Sequence, residues 1–409
     1  MRISTLSIYS NATSQLNTLQ NALARTQTQL STQRRILTPA DDPVASARAL
    51  EVSQSKEMNA QFATNRASAR SSLITVEGTL QNAGNLLQDI QELAVKAGNA
   101  SMLPKDRELL ATELDGRLAD LLGVANSTDG AGGYLFSGYM ATTQPFTPTP
   151  GGADYQGDQG QRQLQVAASR RMPMSASGSA IFENNRTGNG TFQTQAASTN
   201  TGAAVISSGS VVDRNLAEAG RDYKLSFEVS GTPAVTTYSV VDTSTGTEVA
   251  VPGMTTQPYQ EGKAITFGGL SFDIKGVPAN GDSFTVEPSQ KQSVFKTVSD
   301  LVAALRAPSD GSGGKAALTN RLSTALDNLQ QAHDNVLTVH ASIGAHMKEL
   351  DYLDGAGDDL DIQYTATLSD LQDLDMVKAI SDFSQHQLTL QAAQMSFKTM
   401  SGMSLFNYL

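Results

Sequence analysis

Residues 9–37 read YSNATSQLNTLQNALARTQTQLSTQRRIL. In them Tyr9, Leu16, Leu23, Leu30 and Leu37 recur at every seventh position, with Ala12, Leu19, Thr26 and Gln33 at the offset position. Residues 376–397, MVKAISDFSQHQLTLQAAQMSF, repeat the device at the other end of the chain. There Met376, Phe383, Leu390 and Phe397 fall at sevens, with Ile380, Gln387 and Gln394 as the expected offset set. A seven-residue repeat keeps one narrow seam turned toward a partner helix, the requirement for a coiled coil. Both seams carry polar residues where a tight dimer would carry leucine, so each helix is marginal alone and needs a partner. The pattern predicts one helix over 1–38, with Gln33 in register and Pro39 and Pro43 as the stop.

Outward from the first stripe, LTPADDPVASARAL offers Thr38, Asp41 or Asp42 as N-cap for a helix restarting at Pro43 or Val44. Helical pattern continues through Phe62, Leu73, Val76, Leu80, Leu86, Leu87, Ile90, Leu93 and Val95, ends at Ala97-Gly98-Asn99, and restarts near Pro104. From Gly130 the texture changes to glycine, proline and threonine. Tyr223, Leu225, Phe227 and Val229 then alternate with polar residues, the mark of a half-buried strand, and pairs such as Ile265 with Phe267 and Phe284 with Val286 repeat it. Helix resumes near Ser293, breaks at SDGSGG (309–314), and runs on past DGAGDD (354–359), a predicted weak point. The fold class expected is mainly α with an inserted β-domain, the N- and C-terminal segments forming a long antiparallel helical rod. The parts expected are 1–42, half of a coiled coil; 43–179, the first part of the rod; 180–288, the β insert; 289–365, the second part of the rod; and 366–409, the other half of the coiled coil.

Composition narrows the function. A net charge of −11 and a pI near 4.9 exclude a nucleic-acid binder that works through a basic face, and argue against an anionic membrane surface. Cysteine is absent, which removes disulfides and Cys metal sites, and with no tryptophan and few other aromatics a large aromatic-lined ligand pocket is not expected. The first residues show no apolar run of signal-peptide type, and no segment has the length of a membrane span. His333 and His340 lie seven apart on a predicted helix, but the chain has no HExxH, and zinc needs three or four converging ligands. The acidic run Asp351, Asp354, Asp358, Asp359 and Asp361 fails the EF-hand spacing, which would place Leu353, Gly355 and Ile362 at ligand positions. A solvated hinge is the reading that remains. GxSxG and a phosphate loop are both missing. No catalytic, metal or cofactor residues are therefore assigned. Tyr223, Tyr238 and Tyr259 could be displayed for binding, but strand core or plain outer surface is the favoured reading.

Several stretches resemble the bacterial flagellin family and its hook-associated members. They are Leu30-Ser31-Thr32 through Ile36 with Ala40-Asp41-Asp42, LLQDIQELAVKAGN (86–99), GGYLFSGY (132–139), GDSFTVEPSQ (281–290), and the termini MRIST and SLFNYL, which look like those of junction-type members. The chain departs from many relatives in having Gln33 where they have glycine and Ala40 where they have serine. The resemblance implies a flagellin-like fold and a structural subunit of the flagellum: an adapter ring between hook and filament on which flagellin assembles. A filament subunit, or a carbohydrate-binding adhesin acting through the insert, is the alternative. Implied partners are further copies in a ring, the preceding hook-associated protein, flagellin, and a cytosolic export chaperone with its export apparatus. Nucleic acid and membrane are not among them. The implied location is extracellular, on the flagellum, after export without a cleavable signal. The assembly interface expected is Tyr9, Leu16, Leu23, Leu30, Leu37, Ile380, Phe383, Leu390 and Phe397. Asp41, Asp42 and Pro43 are expected as its hinge. Leu16, Leu23, Phe383 and Leu390 are expected to lack partners before assembly, leaving the terminal helices to order on incorporation.

Overall fold

The computed structural model describes residues 5–99, 101–217, 220–249 and 255–402. SLFNYL and all of MRIST but its last residue lie outside them. Among the described residues seven α-helices run in the order α1 (Thr5–Thr32), α2 (Pro43–Ala97), α3 (Pro104–Ala125), a single-turn α4 (Arg214–Ala217), α5 (Val294–Arg306), α6 (Gly311–Gln372) and α7 (Met376–Gly402), with the strands between α3 and α5. The chain forms two compact units, Met1–Thr64 with Tyr352–Leu409 and Asn65–Asp351.

In the first unit α1 packs on α7, and the opening of α2 lies beside the end of α6. Lys56 Nζ donates to Thr365 Oγ1 at 2.7 Å, and Asn59 Nδ2 to the Gly357 carbonyl at 2.7 Å. Leu16, Leu23, Phe383 and Leu390 are half-buried in the α1–α7 pair, so the expectation that they lack partners in a lone chain is corrected: each terminal helix supplies the other's partner. Two further expectations fail here. The first helix does not reach residue 38; it ends at Thr32, and Gln33 takes a left-handed conformation at φ 57°. Register alone suggested unbroken helix, but the Gln33 carbonyl accepts the Leu374 N–H at 3.0 Å and Gln29 Nε2 donates to the Arg35 carbonyl at 2.7 Å. Tertiary bonds therefore replace the helical ones. A non-glycine residue held there costs roughly 1 kcal/mol or more. Gln33→Gly is accordingly expected to stabilise the first unit by about 1 kcal/mol, read as slower amide exchange across the C-terminal half of α1. The second failed expectation is the hinge at 354–359, since α6 is continuous from Gly311 to Gln372. Two glycines cost a helix roughly 1 kcal/mol each, and contacts across to α2, the Asn59–Gly357 bond and the Lys56–Asp361 ion pair at 3.8 Å among them, offset that cost.

In the second unit α2 buries Ala69, Leu73, Val76, Leu80, Ala83, Leu87, Ile90, Ala94 and Ala97, all at alternating three- and four-residue steps. Opposite them α6 buries Leu322, Ala325, Leu329, Ala332, Val336, Ile343 and Leu350 in the same rhythm. Arg70 meets Asp351, Glu77 meets His340 at 3.7 Å, and Gln88 meets His333 at 3.4 Å, so the residue numbers fall on one helix as they rise on the other and the pair is antiparallel. The most completely buried heptad thus lies in the interior of the chain, not at its ends. α3 packs on α5, where the Arg306 guanidinium spans Glu108 at 3.1 Å and Asp115 at 2.7 Å. Phe136, Phe146, Phe182 and Phe295 close this layer with centroids 4.9–5.8 Å apart.

The inserted β region centres on an antiparallel sheet in the order Thr247–Glu248, Val235–Asp242, Tyr223–Ser230, Ser283–Pro288, Phe192–Ala196, with Thr256–Pro258 also on Val235–Asp242. The alternation at 223–229 sends Tyr223, Leu225 and Phe227 into a core with Tyr238, Val240, Ile265, Phe267, Phe284 and Val286. Tyr223 and Tyr238 are therefore core residues, in line with the favoured reading, and Tyr259 is half-buried. Aromatic rings fill strand faces that bury too much apolar area to remain in water. A row of amides on α6 holds the loops of this region. Asn320 Oδ1 accepts the Ile206 N–H at 3.0 Å while its Nδ2 donates to the Ala204 carbonyl at 3.1 Å, and Asn328 accepts the Gly188 N–H at 2.7 Å.

Candidate assembly face and hinge

The seam between α1 and α7 can be read residue by residue. On α1 the half-buried or buried positions include Ala12, Leu16, Leu19, Leu23, Thr26 and Leu30. On α7 they are Ala379, Phe383, His386, Leu390, Ala393 and Phe397, with Asp382 beside them. Tyr9 is 44% exposed, but its ring meets Phe397 edge to face at 5.2 Å. Leu37 lies beyond the end of α1 and is half-buried. The offset set on α7 is Ala379, His386 and Ala393, one residue earlier than Ile380, Gln387 and Gln394. The physical reason is that two alanines let the helices approach without burying glutamine amides that would need partners.

Ile380, at 53% exposure, points away from α1. It flanks a second stripe, Val377, Leu388 and Met395, whose 11- and 7-residue spacings put them on one side of α7, opposite the seam. α7 is therefore apolar on two faces and covered on one. Charge reinforces this: α1 carries one charged side chain in 28 residues and α7 three in 27, against ten in the 55 residues of α2. A surface helix ordinarily sets charged residues against its apolar face, and a helix apolar all round is one that ends up buried.

The stretch Asp41-Asp42-Pro43 is a hydrogen-bonded turn. Asp41 Oδ2 accepts the N–H groups of Leu37 and Thr38, each at 3.0 Å, and Oδ1 meets Arg25 at 2.8 Å. Asp42 caps α2 by accepting the Ala45 N–H at 2.9 Å, and Pro43 takes the first helical position, where its missing N–H costs nothing. The Thr38 and Leu37 N–H bonds, then Arg25, hold the Asp41 carboxyl below the usual carboxylate range. The Ala45 N–H, then Arg35, does the same for Asp42. A lowered folded-state pKa stabilises above the ordinary value of 3.8, and the contribution is lost as pH falls below it. The turn is expected to loosen only in that acid range, seen as loss of protection at the Leu37 and Thr38 amides.

A second break belongs to the same site and was overlooked in the sequence. α6 ends at Gln372 and α7 begins at Met376. Between them the Arg34 and Asp373 backbones pair, and the Arg35 N–H donates to the Gln372 carbonyl at 2.7 Å. The Arg35 guanidinium donates to the Leu371 carbonyl at 2.6 Å and reaches Asp42 at 3.4 Å. One arginine thus ties both breaks. The available signal was Asp375 before Met376, an N-cap whose carboxylate accepts the Lys378 N–H at 3.1 Å. Among the described residues no three acid or histidine side chains are placed to hold a metal, and no helix is long and apolar enough to cross a membrane.

Residues 3–141 match the family described as the bacterial flagellin N-terminal helical region. The chain is 28% identical over 410 residues to flagellar hook-associated protein 3 of Salmonella typhimurium, covering 99% of each. A crystal structure of flagellar hook-associated protein 3 from Legionella pneumophila superposes with a TM-score of 0.74 at 32% identity, covering 78% of this chain and 98% of that one. The FlgL structure from Xanthomonas campestris gives 0.69 at 32% identity, with 78% and 99% covered. Another Legionella pneumophila structure in this group, described as the flagellar junction protein FlgL, gives 0.72 at 32% identity, covering 80% of this chain and all of that one. With its flagellin-type helical frame, inserted sheet and full-length agreement with these proteins, the chain belongs to the flagellar hook-associated protein 3 family, the junction proteins of the bacterial flagellum, and is a structural component of that organelle.

Proposed function

We propose that the protein forms an adapter ring between hook and filament, its subunits joined through the uncovered face of α7, and that the upper surface of the ring receives flagellin. The observation that carries this reading is the second apolar stripe, Val377, Leu388 and Met395, on a helix whose other face already belongs to α1. A neighbouring copy is the occupant that family membership and the scarcity of charge on both terminal helices favour. Leu16, Leu23, Leu30, Phe383, Leu390 and Phe397 then build the pair within each subunit, and Ile380 belongs to the contact between subunits. The Asp41-Asp42-Pro43 turn, tied by Arg35 to the second break, sets the angle of that pair. Residues 180–288 form an outward domain. The work is mechanical and involves no catalysis. Further contacts are the preceding hook-associated protein below, flagellin above and, before export through the flagellar apparatus to the cell exterior, a cytosolic chaperone.

Electron microscopy of isolated hooks with and without the purified protein tests this. The expected result is one added layer that stops at a ring and supports filament growth. Long polymers of this chain alone would point instead to a filament subunit. A chain lacking residues 371–409 is expected to fold but to add no layer, and wild-type motility from it would overturn the assembly role.

A further inference from the structure

Two cavities of about 370 and 560 Å³ meet in the second unit, between α5, α6 and the strand Phe192–Ala196 with the residues that follow it. They share Ser198, Ala304, Ala317 and Arg321, so they form one groove, which follows α6 from Gly311 to Asn328. That stretch of helix is roughly 25 Å long at 1.5 Å per residue, the span of about seven residues of extended chain. The floor is made of small side chains, Ala303, Ala304, Ala317 and Ala325, and no aromatic ring among the described residues lines it. The walls carry amides. Phe192 belongs to the core of the β region, so strand alternation turns Gln193 and Gln195 to the opposite face, the groove side. The Gln193 and Gln195 amides and Asn328 Nδ2 make no hydrogen bond to a described residue, while Asn328 Oδ1 accepts the Gly188 N–H. Charge along the groove is nearly balanced. Arg321 pairs with no described carboxylate, Asp300 is held by Lys296 at 2.9 Å, and Asp310 lines the second cavity.

We propose that this groove binds an extended, uncharged segment of a partner protein whose side chains are small, such as a run of alanine, serine, threonine and glycine. Its length suits a linear chain rather than a compact sugar ring, which would also find no aromatic face to stack on. The alanine floor admits a methyl or hydroxymethyl group and leaves no depth for a leucine. Amides both donate and accept, as extended backbone requires. Asn320, in the same row on α6, already does this within the chain, accepting the Ile206 N–H and donating to the Ala204 carbonyl. Gln193, Gln195 and Asn328 offer the same groups to an incoming backbone, and the Arg321 fork donates to its carbonyls. The near balance of charge selects neither an acidic nor a basic ligand. All of the lining belongs to the second unit, so binding here does not depend on the α7 contact.

Titration of the full chain with a capped alanine–serine heptapeptide, followed by NMR and calorimetry, tests the proposal. A capped leucine–serine heptapeptide and N-acetylglucosamine are the comparisons. The alanine–serine peptide is expected to bind with a Kd of about 1 mM, the leucine–serine peptide at least about fivefold more weakly, and the sugar not at all. Ala303→Phe, which fills the floor, is expected to weaken the alanine–serine peptide at least about tenfold, and Arg321→Ala about fivefold. Raising the salt to about 1 M is expected to change the Kd less than about twofold. Ala303 and Arg321 are both exposed, so each variant retains the fold, which circular dichroism checks. No binding of the alanine–serine peptide, equal binding of the leucine–serine peptide, binding of the sugar, loss of binding in salt, or indifference to Ala303→Phe would each overturn it. So would a dimer of the chain alone that sedimentation detects and Ala303→Phe abolishes, because the groove would then belong to a second copy.

Discussion

Replacing Leu388 and Met395 together by glutamate leaves the purified chain folded with its helix content unchanged, but abolishes its addition to hooks and the motility of cells that depend on it. Leu388 is 69% and Met395 70% exposed in the single chain, so neither carboxylate meets a desolvation penalty there. In a ring where that face of α7 is covered, each subunit would bury two unpaired carboxylates, at several kcal/mol apiece. Affinity between copies should fall by more than about a thousandfold. The control is Leu390→Ala, two residues away on the half-buried seam facing α1. It removes part of the packing inside the subunit, so it should lower protection across α1 and α7 in the monomer, which the double glutamate does not. Incorporation of Leu388→Glu/Met395→Glu at the wild-type level would remove the basis for assigning that face to a neighbouring copy.

The second large effect lies in the β region. Asp282→Asn is expected to destabilise the second unit by about 3–5 kcal/mol, read as a lower urea midpoint with the assembly helices unaffected. Asp282 is 2% exposed, and its carboxylate accepts three backbone N–H groups: Thr201 at 2.9 Å, Gly202 at 3.0 Å and Ala279 at 2.8 Å. An amide keeps the shape but turns a donor toward donors, leaving at least one buried N–H unpaired. Gly202 approaches so closely that a Cβ there would lie 2.4 Å from Asp282 Oδ2, so the loop tolerates no larger residue. The segment GDSFTV was visible in the sequence only as a family resemblance. Its acid is the knot joining two loops some 80 residues apart, a relation no local pattern contains.

Much of the fold was legible because helices and half-buried strands write their periods into the chain. The alternation at 223–229, the stop at Ala97-Gly98-Asn99 and the restart of helix after Ser293 all correspond to observed elements. The failures share a cause. Gln33 fits the heptad but not the helix, because bonds to Leu374 and around Arg35 outweigh register. DGAGDD reads as a break but is helix, because α2 lies alongside.

By itself the sequence determined that the two ends of this chain are helices with one seam each, that a sheet interrupts the helical frame, and which family the chain resembles. Those properties depend on periodicity and short motifs, which act over a turn or two of backbone. Only the tertiary structure decided that α1 and α7 satisfy one another, that Ala379, His386 and Ala393 form the offset seam, and that Val377, Leu388 and Met395 remain uncovered. A heptad specifies that a helix has a partner. The packing geometry of facing side chains, set by residues hundreds of positions away, specifies which partner it has and which face is left for another.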